Sequence, residues 1–216
     1  MRRYSERLAR LFFGLFLYGL GIVITMKANI GYAPWEVFHA GVGLALGQKI
    51  GIISIFVGFF FCGIALLLGE KLGIGTVFNM IFVGIVIDFL LSFENFYSAQ
   101  NFLVGIVQLI IGLFVISIAS FFYISSAFGA GPRDSLMVAL ARKTKLPVGV
   151  CRGAIELLAV FCGWLLGGKV GLGTVISALM IGFCIQVTFK VFRFDPTKLT
   201  HEDFHSTIGK AVSFLR

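Results

Sequence analysis

Gly31-Tyr32-Ala33-Pro34-Trp35-Glu36 recurs 98 residues later as Gly129-Ala130-Gly131-Pro132-Arg133-Asp134. The offset then holds without a gap. Gly51 falls on Gly149, Gly14 on Gly112 and Gly84 on Gly182, and Leu67 to Val77 falls on Leu165 to Val175. Shared apolar composition does not produce an ungapped register over so long a window. The chain therefore reads as an internal duplication, and a repeat of this kind sets the frame for everything else.

The repeated unit is apolar throughout. Of 216 residues 58% are hydrophobic and only 13% are charged, where about a quarter would be usual in a soluble chain. The mean hydropathy is +1.00. Several runs approach the ~20 apolar residues that cross a bilayer as a helix. This is the composition of an all-α polytopic membrane protein, with the lipid bilayer as its first partner. The net charge of +8 does not point to nucleic acid. Arg2, Arg3, Arg7 and Arg10 precede the first span, and Lys190, Arg193 and Lys198 follow the last. Basic residues beside spans mark cytoplasmic ends, so both termini are expected in the cytoplasm. Cys62, Cys151, Cys162 and Cys184 show no CxxC spacing and read as small apolar residues. The N-terminal stretch is too long for a signal peptide, lacks a small-residue cleavage site and has a counterpart in mid-chain, so it is kept as a span.

Each unit offers four elements. A span covers roughly 10–28 and again 102–126, and a short segment starting at Pro covers 34–47 and 132–145. Spans follow at 51–68 and 149–166, then at 75–92 and 173–192. The short segment is too brief for a ~30 Å hydrocarbon core at 1.5 Å per residue. It fits a half-helix dipping into the membrane. Three crossings per unit make the two units inverted; four would make them parallel. The linker Phe93 to Asn101 contains no Lys or Arg and so belongs on the outer side, which three crossings achieve. The expected organisation is a first membrane repeat at 1–95, a second at 96–194 and a cytoplasmic amphipathic tail at 195–216, giving six transmembrane helices and two half-helices. In the tail, Phe204, Ile208, Val212 and Leu215 have the spacing of a surface helix.

Pro34 and Pro132 suit the first position of a helix, and Glu36 and Asp134 then lie in the first turn, where a carboxylate complements the helix dipole. If the half-helices are re-entrant, these acids lie deep in the membrane. Paired discontinuous helices in inverted repeats are the sequence pointer to a transporter site, and ionisable groups at that depth are functional candidates. Capping and binding are compatible roles. Trp35 in the first copy is Arg133 in the second, a cation and a ring that can meet across the symmetry axis. Arg133 can equally pair with Glu36 or Asp134. His39 is a second candidate for handling protons. Gly73-Ile74-Gly75-Thr76 and Gly171-Leu172-Gly173-Thr174 read as turns opening the fourth element, with Thr able to cap it. They lack the phosphate-loop pattern. Arg152 and Glu156, four residues apart, read as a structural ion pair, and Asp88 as a residue reaching water at the outer surface. His201-Glu202-Asp203-Phe204-His205 matches the zinc-protease pattern. No third ligand follows it, however, and a catalytic zinc needs three in a shielded pocket. No metal, cofactor or catalytic residue is assigned, and the chain is not read as an enzyme.

With these motifs the sequence resembles the bacterial YczE/YyaS/YitT group of membrane proteins. The resemblance rests on Ala33-Pro34-Trp35-Glu36 with His39, on Gly73-Ile74-Gly75-Thr76 with Asn79, on Gly129 to Asp134 and on Gly171 to Thr174. It spans about residues 28 to 186. It implies a small multi-pass protein of the bacterial cytoplasmic (inner) membrane and names no activity. Some members carry a soluble C-terminal domain, where this chain has a short tail. The sequence supports first a transporter or exporter of a polar or zwitterionic small molecule, with Trp35, Glu36, His39, Arg133 and Asp134 as its site. The alternative is an accessory or assembly subunit of a membrane complex. So small a chain also allows a homodimer or a partner membrane protein.

Overall fold

Proline at a first helical position sets where two of the helices start. In the computed structural model α2 runs Pro34–Leu46 and α6 runs Pro132–Thr144. The others among the described residues are α1 (Arg2–Met26), α3 (Ile50–Leu67), α4 (Ile74–Leu91), α5 (Phe102–Ser125), α7 (Val148–Leu165) and α8 (Leu172–Val191). The structure describes residues 2–70, 72–94, 96–129, 131–146 and 148–195, without the side chains of Arg2, Arg3, Asp134, Val138 and Val148. The tail expected at 195–216, with the HExxH match inside it, therefore lies outside the described residues beyond Asp195.

Among the described residues, α1, α3, α4, α5 and α8 are long and apolar enough to cross a membrane. With 18 residues, α7 equals α3 in length but carries Arg152 and Glu156. At 13 residues each, α2 and α6 are about 20 Å long and too short to cross. Large apolar side chains such as Leu103, Leu157, Leu179 and Phe60 stand exposed along the outside, as a lipid-facing surface requires. The four cysteines are free thiols, three of them buried.

The centre of the bundle is the pair α1 and α5, which cross antiparallel. Arg7 Nε donates to the Ser126 carbonyl at 2.9 Å. Farther along, Gly14 meets Ala119 and Tyr123, Gly21 meets Gly112 and Ile116, and Gly105 lies on the Ala28 carbonyl. These glycines lie where the two backbones touch, the device by which helices associate without a hydrophobic driving force in lipid. Parallel to α1, α4 packs Phe78 and Phe82 on Phe12 and Val83 and Val86 on Gly19. On the other side α8 lies along α5, where Phe121 stacks on Phe192 at 4.3 Å between ring centroids. The remaining wall is built crosswise, with α2 against α7 and α6 against α3.

One polar residue departs from its expected surroundings. Instead of reaching water, Asp88 turns back onto α3, where Oδ1 accepts the Gly51 N–H at 2.8 Å and Oδ2 the Ile52 N–H at 3.1 Å. It supplies the cap that the preceding residue, Lys49, does not give. Asp88→Ala is expected to cost about 1–2 kcal/mol, the usual loss of an N-cap, read as a lower midpoint of thermal unfolding in detergent. A loss too small to measure would show that these two bonds merely replace water.

Candidate functional site

The loops before α2 and α6 are held by reciprocal bonds between the two halves of the chain. Gly173 N–H donates to the Ile30 carbonyl at 2.7 Å, and Gly75 N–H to the Phe128 carbonyl at 2.8 Å. Thr76 and Thr174 fix these turns locally, their Oγ1 atoms accepting the Gly73 and Gly171 N–H groups at 3.3 and 3.1 Å. Each Gly-x-Gly-Thr turn thus opens its own helix and also carries the approach to the other half's short helix. That second task has no local sequence signal.

Held this way, the starts of α2 and α6 meet inside the bundle. Neither cap residue, Ala33 or Gly131, places a side chain on the first-turn N–H groups, so side chains of the turns themselves set the local charge. The Arg133 guanidinium lies over the Trp35 ring, 4.6 Å from its centroid, and Nη2 stands 3.8 Å from Glu36 Oε1. Both contacts considered from the sequence are therefore made by one side chain. Glu36 is 5% exposed and His39 2%. His39 lies one turn after Trp35 on the same helix face, its ring centroid 6.3 Å from the Trp35 ring. Asp134, the fifth residue expected here, lies in the first turn of α6, but its side chain is outside the described residues.

These groups border a cavity of about 410 Å³, within the usual range for a small-molecule pocket. Its walls come from both halves of the chain and contain more than the repeated motifs announce. Arg152 and Glu156 do pair, Nε to Oε1 at 2.9 Å, and the pair lines this cavity. On the α1–α5 side Tyr18 hydroxyl hydrogen-bonds to Ser120 Oγ at 2.7 Å, and both residues face the cavity with Asn79 of α4. Ser177 of α8 also lines it; its Oγ is buried and has no hydrogen-bond partner among the described residues. The site thus offers two carboxylates, two guanidinium groups, hydroxyls and an amide, set among apolar walls. It can match a ligand bearing both signs of charge, with Arg133 or Arg152 for an anionic group and Glu36 or Glu156 for a cation. Among the described residues no three His, Cys, Asp or Glu side chains group to hold a metal ion.

Apolar helices around a charged interior make this an integral membrane protein. It belongs to the family described as "Family of unknown function (DUF6198)", whose model matches residues 5–190. It is similar to "Uncharacterized membrane protein YczE" of Bacillus subtilis (strain 168), at 31% identity over 178 residues, 81% of either chain. An "Uncharacterized protein" of Haemophilus influenzae is 32% identical over 180 residues, 82% of this chain and 80% of its own. "Uncharacterized protein YyaS" of Bacillus subtilis is 22% identical over 176 residues, 81% of this chain and 88% of its own. The resemblance drawn from the paired motifs thus stands for YczE and YyaS. No solved structure matches.

Proposed function

We propose that the chain is a transporter or exporter of a polar or zwitterionic small molecule, built from two inverted repeats that share one central site. The observation that carries this reading is the meeting of two half-helix starts at one polar cavity inside the bundle. There Glu36, Trp35 and His39 of α2 face Arg133 of α6. Broken or short helices whose ends point at a buried site between repeats are how transporters handle polar cargo in apolar surroundings. The duplication is supported by the helix bounds, since α2 and α6 and likewise α3 and α7 begin and end 98 residues apart. Inversion is supported by the antiparallel crossing of α1 with its counterpart α5.

In this arrangement three helices cross per repeat, both termini are cytoplasmic, and the linker after α4 lies outside. In a background without native cysteines, Tyr97→Cys, at a residue 61% exposed, is expected to react with a membrane-impermeant maleimide from the outer face alone. Reaction only from the cytoplasmic face would end the inverted arrangement.

The function itself is tested by thermal unfolding of the detergent-purified protein against free amino acids, other small zwitterions and polar metabolites. A true ligand at a hundred times its Kd stabilises by about 2.7 kcal/mol, and Glu36→Gln should abolish that response while the variant still elutes as one species. A folded protein that answers to none of them would move the accessory-subunit reading ahead.

A further inference from the structure

The two halves are not closed alike. α3 lies along α4, with the backbones of Gly51 and Gly84 in direct contact and a Cβ on Gly84 only 2.6 Å from Ile55 Cγ1. Asp88 completes the seal by binding the first turn of α3. The register that carries Gly75 onto Gly173 carries Gly51, Ile55, Gly84 and Asp88 onto Gly149, Gly153, Gly182 and Gln186. There, among the described residues, no lengthwise packing joins α7 to α8. A Cβ on Gly153 or on Gly182 would meet nothing within 4 Å.

The break lies at one end only. The start of α8 is tied down by the Gly173 bond to Ile30 and the Tyr32 N–H bond to the Lys169 carbonyl at 3.0 Å, and the end of α7 sits against α2 through Gly163 and Phe38. The opening is therefore between the first half of α7 and the second half of α8. Arg152 and Glu156 line the cavity on one side of it and Ile185 and Phe189 on the other. Glycine inside a helix costs stability relative to alanine, and this conformation gives Gly153 and Gly182 no close neighbour in return.

We propose that α7 and α8 close on each other in a second conformation by the packing that α3 and α4 show here, while the α3–α4 seal opens. Gly153 and Gly182 then meet as Ile55 and Gly84 do now, and Gln186 reaches the first turn of α7 as Asp88 reaches that of α3. The central site is thereby open to one face of the membrane at a time. Exchange of conformation between inverted halves is a low-cost route to two states, because the packing that one half gives up the other half takes on. The halves are unequal at this cap. A carboxylate binds helix N–H groups more strongly than a neutral amide does, so the Asp88 seal is the more stable of the two and the conformation described here is the resting one. The proposal rests on the transporter reading for its purpose and on the duplication for its register.

The test is disulfide formation in native membranes under copper-phenanthroline, with the native cysteines removed and Gly153→Cys and Gly182→Cys introduced together. Bridging needs Cβ atoms ~3.5–4.5 Å apart, a separation the open gap does not offer. The control is Ile55→Cys with Gly84→Cys, the counterpart pair across α3 and α4, where a Cβ on Gly84 would lie 2.6 Å from Ile55 Cγ1, the place a Cys Sγ at 55 would take. Cross-linking of both pairs, with Asp88→Ala raising the rate at 153 and 182 severalfold, is the expected result. A control that bridges while 153 and 182 never do would overturn the proposal. Should the control variant misfold, Gly182→Leu gives the same answer. It fills empty space here, must not lower thermal stability and should cut at least tenfold the labelling of Val57→Cys by an impermeant maleimide added outside. Labelling unchanged by Gly182→Leu would overturn the proposal equally. Cross-linking needs no ligand, so the two readings fail separately: binding at Glu36 without cross-linking refutes the gate alone, and cross-linking with no ligand response refutes the transporter alone.

Discussion

Arg133→Ala is expected to lower stability by about 3 kcal/mol and to remove every ligand response, while Glu36→Gln/Arg133→Ala recovers most of the stability and none of the response. The first loss follows from what remains behind. Glu36 is 5% exposed, and deleting one member of a buried ion pair strands the other charge, at a cost of about 3–5 kcal/mol. The low end applies because the Arg133 side chain is about one-third exposed and the separation is 3.8 Å, so solvent already weakens the pair. The double variant strands neither member of this pair. Its residual loss includes the contact of Arg133 with the Trp35 ring, about 0.5–2 kcal/mol. A coupling of at least 1 kcal/mol between the two substitutions, measured by thermal unfolding of the wild type, both single variants and the double variant, is therefore the expected signature. If the double variant is as unstable as Arg133→Ala, Arg133 serves packing and Glu36 is not held by its charge. If the double variant still binds ligand, the charges are structural and the site lies elsewhere in the cavity.

Much of this architecture is written in short sequence spans. Pro34 and Pro132 mark helix starts because proline has no N–H to lose there, and α2 and α6 stop at Gly47 and Lys145, of which only the glycine is a turn signal in the sequence. Both of those residues take left-handed backbone. The contact of Trp35 with Arg133 was also within reach, because the two residues hold the same place in the two copies of the Pro motif, 98 positions apart. What the sequence withholds is partnership between distant segments. Asp88 gives no sign that it will turn onto Gly51 rather than outward, since the two lie 37 positions apart. Arg152 and Glu156 are legible as a pair from their spacing, but that spacing does not reveal that the pair faces a cavity. The unequal closure of the halves is the least legible feature. Gly84 and Gly182 occupy the same place in the same pattern, yet one helix pair is sealed and the other open, and the exchanges of Ile55 for Gly153 and of Asp88 for Gln186 do not announce it.

The same reciprocity predicts where the fold is least tolerant. Gly31→Ala and Gly129→Ala should each destabilise by about 3–4 kcal/mol, although each adds a single methyl group. Both residues have positive φ, +114° and +128°, where a side chain on L-backbone costs of order 1–3 kcal/mol. Space is also refused by backbone. A Cβ on Gly31 would lie 2.6 Å from Gly171 N, and one on Gly129 2.8 Å from Gly73 Cα. These atoms belong to the turns whose Gly173 and Gly75 N–H bonds hold the loops together, so they cannot yield without loosening those bonds, and such overpacking costs a further ~1–3 kcal/mol. Gly47→Ala provides the contrast. It too has positive φ, at +64°, but among the described residues nothing lies within 4 Å of its Cβ, so only the left-handed backbone is penalised, by about 1–2 kcal/mol. Unfolding midpoints of the three variants in detergent should therefore rank Gly47→Ala well above the other two, with Gly31→Ala and Gly129→Ala close together. Near-equal losses at Gly31 and Gly129 are what two equivalent turns demand. A large loss at one and a tolerated change at the other would mean that only one of these loops is held rigidly, and the half-helix it carries could not then be fixed at the cavity by that turn.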